Sequence, residues 1–351
     1  MMSDVAVVGF AQSPQVGRTT GTTNGVEMLV PVFQELYAAT GLDRHEIGFW
    51  CSGSSDYLAG RAFSFVSAVD AIGAVPPIAE SHVEADAAWA LYEAWVKIRT
   101  GEVDTALVYG FGKSSAGELR RVLALQLDPY LVAPLWPDAV SLAALQARVG
   151  LDAGLWSEKE MAEVAARSRA DAAKNPNAQL REPLDVNGLL DEPYLADPLR
   201  AHDCAPITDG AAAVVLASSD RAGELCERPA WITGIEHRVD SPAFGARDLS
   251  RAPSAGASAA AAGIDGVQVA ELHAPFTSQE LLLRRELGLA ESVRINPSGG
   301  PLCGNPMFAT GLVRIGEAAA RVMDGSAGRV LAHATNGPLL QQNMVCVMEG
   351  R

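Results

Sequence analysis

The feature that most constrains this chain is that it repeats one α/β pattern. In the first copy, Val5-Ala6-Val7-Val8-Gly9-Phe10 reads as a buried strand, and a helix follows over about 26–40, closed by Gly41. A short strand at 47–50, a Gly/Ser-rich turn at 51–55, a helix over about 86–100 stopped at Gly101 and a strand at 105–110 complete it. The second copy has a helix at 254–262, a strand at 268–273 ending on His273, a helix from Ala309 to Ala320 and a strand from Arg329 to Ala334. Ile47 and Leu107 lie 60 positions apart, and Val269 and Val330 lie 61 apart. A unit that long exceeds a solenoid repeat and suits two copies of one α/β half. Unbroken apolar strands predict burial on both faces.

Between the copies, 113–206 has another character, with Pro134, Pro137, Pro176, Pro183, Pro193 and Pro198 among short helices such as 157–174. The chain returns to a strand at Thr208-Asp209-Gly210-Ala211-Ala212-Ala213. The expected organisation is an N-terminal half over 1–118 plus 207–220, an insertion loop domain over 119–206 and a C-terminal half over 221–351.

Composition narrows the function. A net charge of −15 and a pI near 4.8 argue against nucleic acid, which needs clustered Lys and Arg. Five cysteines without CxxC spacing predict reduced thiols rather than disulfides, and no zinc ligand pairs at metal spacing occur. No Walker or dinucleotide glycine fingerprint is present. No apolar run reaches the length of a membrane span, and the N-terminus lacks the basic region of a secretory signal, so a cytoplasmic protein is expected.

Three motifs carry a family resemblance: the Asp209-Gly210-Ala211-Ala212-Ala213 strand entry, Glu271-Leu272-His273-Ala274-Pro275-Phe276-Thr277-Ser278-Gln279-Glu280, and Asn296-Pro297-Ser298-Gly299-Gly300. In this order they resemble the thiolase superfamily, in particular its sterol-carrier-protein-x or lipid-transfer-protein-like branch and the short actinobacterial forms similar to steroid side-chain degradation components. The resemblance covers essentially the whole chain. It implies an α/β thiolase fold with duplicated βαβαβ-type halves in a layered α/β/α/β/α arrangement. It also implies an acyl-CoA substrate, with coenzyme A part of the substrate and no tightly bound cofactor. The expected assembly is a homodimer, or a heteromer with a thiolase-like paralogue or a small OB-fold protein.

The departures are chemical. Where the family has a cysteine at the start of a buried helix, this chain aligns Glu84; where it has the histidine of its GHP motif, this chain has Asn305. The C-terminal cysteine-glycine loop is replaced by Asn336-Gly337-Pro338. An amide cannot exchange a proton near neutral pH, so thiolysis through an acyl-cysteine is not expected. His273 is the matching oxyanion donor; its bland reading is a loop cap. Glu84 is either a general base or an acidic residue favoured by the helix dipole, and Asp86 can take either role. His82 is a candidate by proximity to Glu84. Asn305 orients a carbonyl or caps a turn. Gly299, Gly300 and Gly337 are candidate points of close backbone approach to the ligand. Cys303 reads as packing, and Tyr57 and Tyr109 as core or rim phenols. Two functions from different classes follow: retro-aldol cleavage of a β-hydroxyacyl-CoA in lipid or steroid side-chain catabolism, or a non-catalytic thiolase-like subunit. An ordinary 3-ketoacyl-CoA thiolase is the third.

Overall fold

The computed structural model describes residues 3–20, 25–56, 68–73 and 77–351, with Asp70 described for its backbone alone. Tyr57 lies outside the described residues. One half contains β1 (Val5–Gln12), α1 (Gly25–Thr40), β2 (Phe49–Gly53), β3 (Glu80–Val83), α2 (Ala87–Arg99), β4 (Thr105–Gly112) and, after the insertion, β7 (Gly210–Ser218). The insertion carries α3 (Ala139–Asp152), α4 (Glu158–Ala172) and the ribbon β5 (Tyr194–Ala196) with β6 (Leu199–Arg200). The other half contains β8 (Ala230–Val239), α5 (Pro253–Ala262), β9 (Val269–Leu272), α6 (Thr277–Glu286), β10 (Arg294–Ile295), α7 (Thr310–Met323), β11 (Arg329–Asn336) and β12 (Gln342–Glu349).

The main sheet runs β10-β9-β11-β12-β8-β1-β7-β4-β2-β3. Cut at β8–β1, each piece has the same order. The third strand of a half pairs with the second, then come the fourth, the fifth and the first. The spaced pairs read from the sequence are β2 with β4 and β9 with β11, each parallel and adjacent. The seam itself is short, with Ala6 opposite Trp231 and Val7 opposite Ala230.

Strand side chains alternate between layers, as a period of two requires. Ala106 and Val108 of β4 join a central core with α2 and α7, whereas Leu107 and Tyr109 face α1. On the other half, Val330 and Ala332 face the same central core, and Leu331 faces α5 and α6. The result is α1, sheet, α2 with α7, sheet, then α5 with α6. Leu312, Val313 and Ile315 of α7 are essentially inaccessible; each such burial stabilises by about 1.5–3 kcal/mol relative to exposure.

Local signals account for the ends. Asp86 caps α2 and Ser157 forms a capping box with Glu160 at the start of α4. Gly41 and Gly101 adopt φ of 66° and 77° after α1 and α2, as their sequence positions suggested. The expected turn at 51–55 is corrected: Cys51, Ser52 and Gly53 belong to β2 and pair with both β3 and β4. Their small side chains leave room for α2, and that packing overrides the turn propensity. Strand β8 and helix α6 had no counterpart in the sequence reading. Among the described residues, no helix is long and apolar enough to cross a membrane.

Candidate active site

Two glycines bring the start of α2 against the strand ends. A Cβ on Gly53 would lie 2.4 Å from Ala87 Cα, and one on Gly110 would lie 2.6 Å from Ala87 Cβ and 2.9 Å from the Phe308 carbonyl oxygen. That carbonyl accepts the Ala87 N–H at 2.8 Å, tying α2 to the segment before α7. Phe308 holds φ of 68°, uncommon for a bulky residue, in this crowded junction.

Asp86 stands where the two helices meet. One carboxylate oxygen accepts the Ala88 N–H of α2, and the other accepts the Gly311 N–H of α7, both at 2.9 Å. Burial pushes its pKa up to about 6 against the pull of these donors and of Arg314. Its own N–H donates to Asn336 Oδ1 at 3.3 Å, at the end of β11. From the preceding residue, the Thr335 N–H donates to His273 Nδ1 at 3.4 Å. That contact assigns the ring proton to Nε2, leaving an N–H donor there. Burial holds the His273 pKa well below its ordinary value, with His333 and Arg314 adding to the effect, so the ring is neutral.

Asn305 joins the cluster from the other side. Its Oδ1 accepts the Thr310 hydroxyl at 2.7 Å in the first turn of α7, and its carbonyl accepts the Thr208 N–H at 3.2 Å. Thus Asp86 and Asn305 bond the first turn of α7, Asn336 bonds Asp86, and His273 is tied to the adjoining Thr335. The sequence reading named Asn336 only as part of a replaced loop. Its sole sequence signal is that position.

Glu84 is placed elsewhere. The helix cap is Asp86, and Glu84, two residues earlier, is an exposed side chain whose oxygens accept the Asp56 N–H at 3.1 and 3.2 Å. His82 Nε2 lies 3.6 Å from Glu84, and its Nδ1 is 2.9 Å from the Ser52 hydroxyl. Among the described residues, Asp56, His82 and Glu84 form the group with metal-ligand chemistry, their donor atoms all within 4.8 Å of one another. Gly299 and Gly300 adopt φ of 96° and 63°; a Cβ on either would meet Ala172 of α4 at 2.5 Å or Asn296 at 2.8 Å. Their conformations therefore serve the contact with the insertion and the turn. Gly337, exposed with φ of 72°, directly follows Asn336.

The thiols lie apart from the Asp86 cluster's hydrogen bonds. Cys51 is in the central core beneath α2, Cys303 donates to the Ser168 carbonyl, and Cys346 is interior to β12. Cys204 bridges to Phe276 beyond His273. Burial pushes these four up to about 12, and also raises Cys226. Tyr109 is likewise a core residue, edge-on to Phe33, with its pKa raised by burial.

A cleft of about 570 Å³ opens elsewhere, between β1, α4 and α7, lined by Gln12, Asp171, Arg294, Glu317 and Arg321 among others. It includes none of His273, Asn305, Asp86 or Asn336, and Glu317 within it is already bonded to Gln12 and Asn175. The buried cluster lies apart from this cleft.

The acetyl-CoA acetyltransferase of Bacillus anthracis superposes with a TM-score of 0.82 at 18% identity, covering 100% of this chain and 99% of that one. This is a thiolase fold. A second thiolase-fold neighbour, solved as the Ltp2-ChsH2(DUF35) aldolase, has a TM-score of 0.78 at 18% identity over 99% of this chain and 98% of its own. No protein-family model matches the sequence. The acetyl-CoA acetyltransferase of Methanothermobacter thermautotrophicus is 27% identical over 270 residues, 69% of this chain and 70% of its own. The 17-hydroxy-3-oxo-4-pregnene-20-carboxyl-CoA lyase of Mycobacterium tuberculosis is 29% identical over 173 residues, 46% of this chain and 45% of its own. These relatives support a place in the thiolase superfamily and an acyl-CoA-related function.

Proposed function

We propose that this thiolase-like chain cleaves a carbon–carbon bond of a β-hydroxyacyl-CoA by retro-aldol chemistry, without a covalent acyl-cysteine. The observation that carries the reading is the meeting of two buried helix N-termini on the carboxylate of Asp86, linked through Asn336 and Thr335 at the end of β11 to neutral His273. In the reaction a base takes the proton of the β-hydroxyl. The oxygen's electrons form the product carbonyl, and the Cα–Cβ bond breaks. Its electron pair passes into the thioester enolate, which is then protonated at Cα. The His273 Nε2–H stabilises the enolate oxygen. Asn305 orients the substrate.

Of the two carboxylates near the start of α2, Asp86 is the better placed base. Two backbone N–H groups, of Ala88 and Gly311, bond to it, leaving about two of four acceptor positions. A pKa of about 6 suits a base near neutrality. Glu84 belongs to the rim. The lyase similarity and the Ltp2 fold support a steroid or other lipid side chain as the acyl group.

A heteromeric role is the second reading. The Ltp2 neighbour was solved with ChsH2, and the insertion of this chain exposes Leu125, Tyr130, Leu131 and Leu135. The test is to assay the chain alone, with a ChsH2-like partner and with a small OB-fold protein, on β-hydroxyacyl-CoA and β-ketoacyl-CoA substrates. His273→Ala should lower kcat for retro-aldol cleavage by about 10²–10³. Activity that needs the partner and ignores His273→Ala assigns the chain to a non-catalytic subunit.

A further inference from the structure

The Asn336 side chain is half used. Its Oδ1 accepts the Asp86 N–H, which fixes the amide orientation, since a flip would set Nδ2 against that donor. Its Nδ2 is buried and has no partner among the described residues. An orphaned buried donor costs about 1–3 kcal/mol, so a sequence that merely needed an acceptor for Asp86 would do better with a residue lacking it. The neighbouring Thr335 N–H holds His273, so two consecutive residues at the end of β11 bind the imidazole and carry the orphaned amide. Asp86, between the starts of α2 and α7, closes the group.

We propose that Asn336 Nδ2 is a second donor to the acyl-CoA oxygen that gains charge in the reaction, acting beside His273. The assignment rests on the acyl-CoA reading above. It also gives the replaced C-terminal loop a chemical role, since it supplies an amide donor, with no thiol, at the point where β11 ends.

The test uses Asn336→Asp, which keeps an oxygen for the Asp86 N–H and removes the donor, with acetoacetyl-CoA as probe at one fixed, mildly alkaline pH. Wild type should develop the ultraviolet enolate band of the bound probe. N336D should lose most of that band while binding CoA itself comparably, and its kcat on a β-hydroxyacyl-CoA should fall about 10²-fold with little change in KM. Circular dichroism reports folding; if N336D does not fold, Asn336→Ala decides by the same band. A band retained in the folded variant overturns the Asn336 assignment alone. Wild type binding the probe without any band overturns the enolate reading, and this inference with it.

Discussion

The Asp86 carboxylate accepts the Gly311 N–H at 2.9 Å, so a cap that begins one central helix also begins the other. The two helices come from different halves of a duplicated fold. Their N-terminal partial charges converge on one carboxylate, which favours its ionised form, yet desolvation prevails and raises its pKa.

That balance has a pH signature. The Asp86 pKa rises from 3.8 to about 6 on folding, so its contribution is most favourable below the unfolded value and is lost as pH climbs through about 6. The shift corresponds to about 3 kcal/mol. Thermal melts of Asp86→Asn against wild type should therefore show the variant gaining relative stability between pH 4 and pH 7, by roughly that amount. A pH-independent offset between the two would contradict the burial argument. Asp86→Ala should lose about 1 kcal/mol for each cap at low pH, and should make up that deficit as pH rises through about 6.

The thiols give a second check. With four of them pushed up to about 12, iodoacetamide should label the native protein slowly at neutral pH and all five cysteines quickly after denaturation. Mass spectrometry after incubation with an acyl-CoA should find the unmodified mass. A stoichiometric acyl adduct on any cysteine would restore the ordinary thiolase reading.

Arg314 and Glu271 are both buried and bonded at 2.7 Å, with the Ser298 hydroxyl bridging them. Arg314→Met leaves the carboxylate uncompensated and should cost about 3–5 kcal/mol in urea unfolding. Adding Glu271→Gln should recover much of the loss. A double variant no better than the single would show that the guanidinium stabilises mainly through its packing.

Gly53→Ala tests the close approach at the site. The new Cβ would sit 2.4 Å from Ala87 Cα and 2.6 Å from its nitrogen, both backbone atoms. The start of α2 must move, with an expected cost of about 1–3 kcal/mol and a loss of turnover larger than the loss of CoA affinity. Full activity in a variant of normal melting temperature would show that the helix start has slack.

Much of the fold was legible because its strands and helices obey simple periods and their ends carry glycine signals. Gly41 and Gly101 fall where the sequence placed them, and α2, α5, α7 and β11 begin within a few residues of expectation. Strand β8 was not legible: its burial is irregular, and Thr233, Arg238 and Val239 stay exposed. Cys51–Gly53 looked like a turn because small residues suit turns and close helix packing equally. At the site, His273 stood out by its motif and strand end. The convergence on Asp86 could not be seen in advance, since its partner Gly311 lies 225 positions away and donates through its backbone. Glu84 was favoured over Asp86 through alignment to a family position, but the capping geometry is a property of the three-dimensional junction.

The two-pair seam between β1 and β8 divides the cluster between the repeats. Asp86 comes from one repeat; His273, Asn305 and Asn336 come from the other. Neither repeat holds this constellation alone, so each is hostage to substitutions in its twin. A fragment comprising one repeat would carry only part of the cluster.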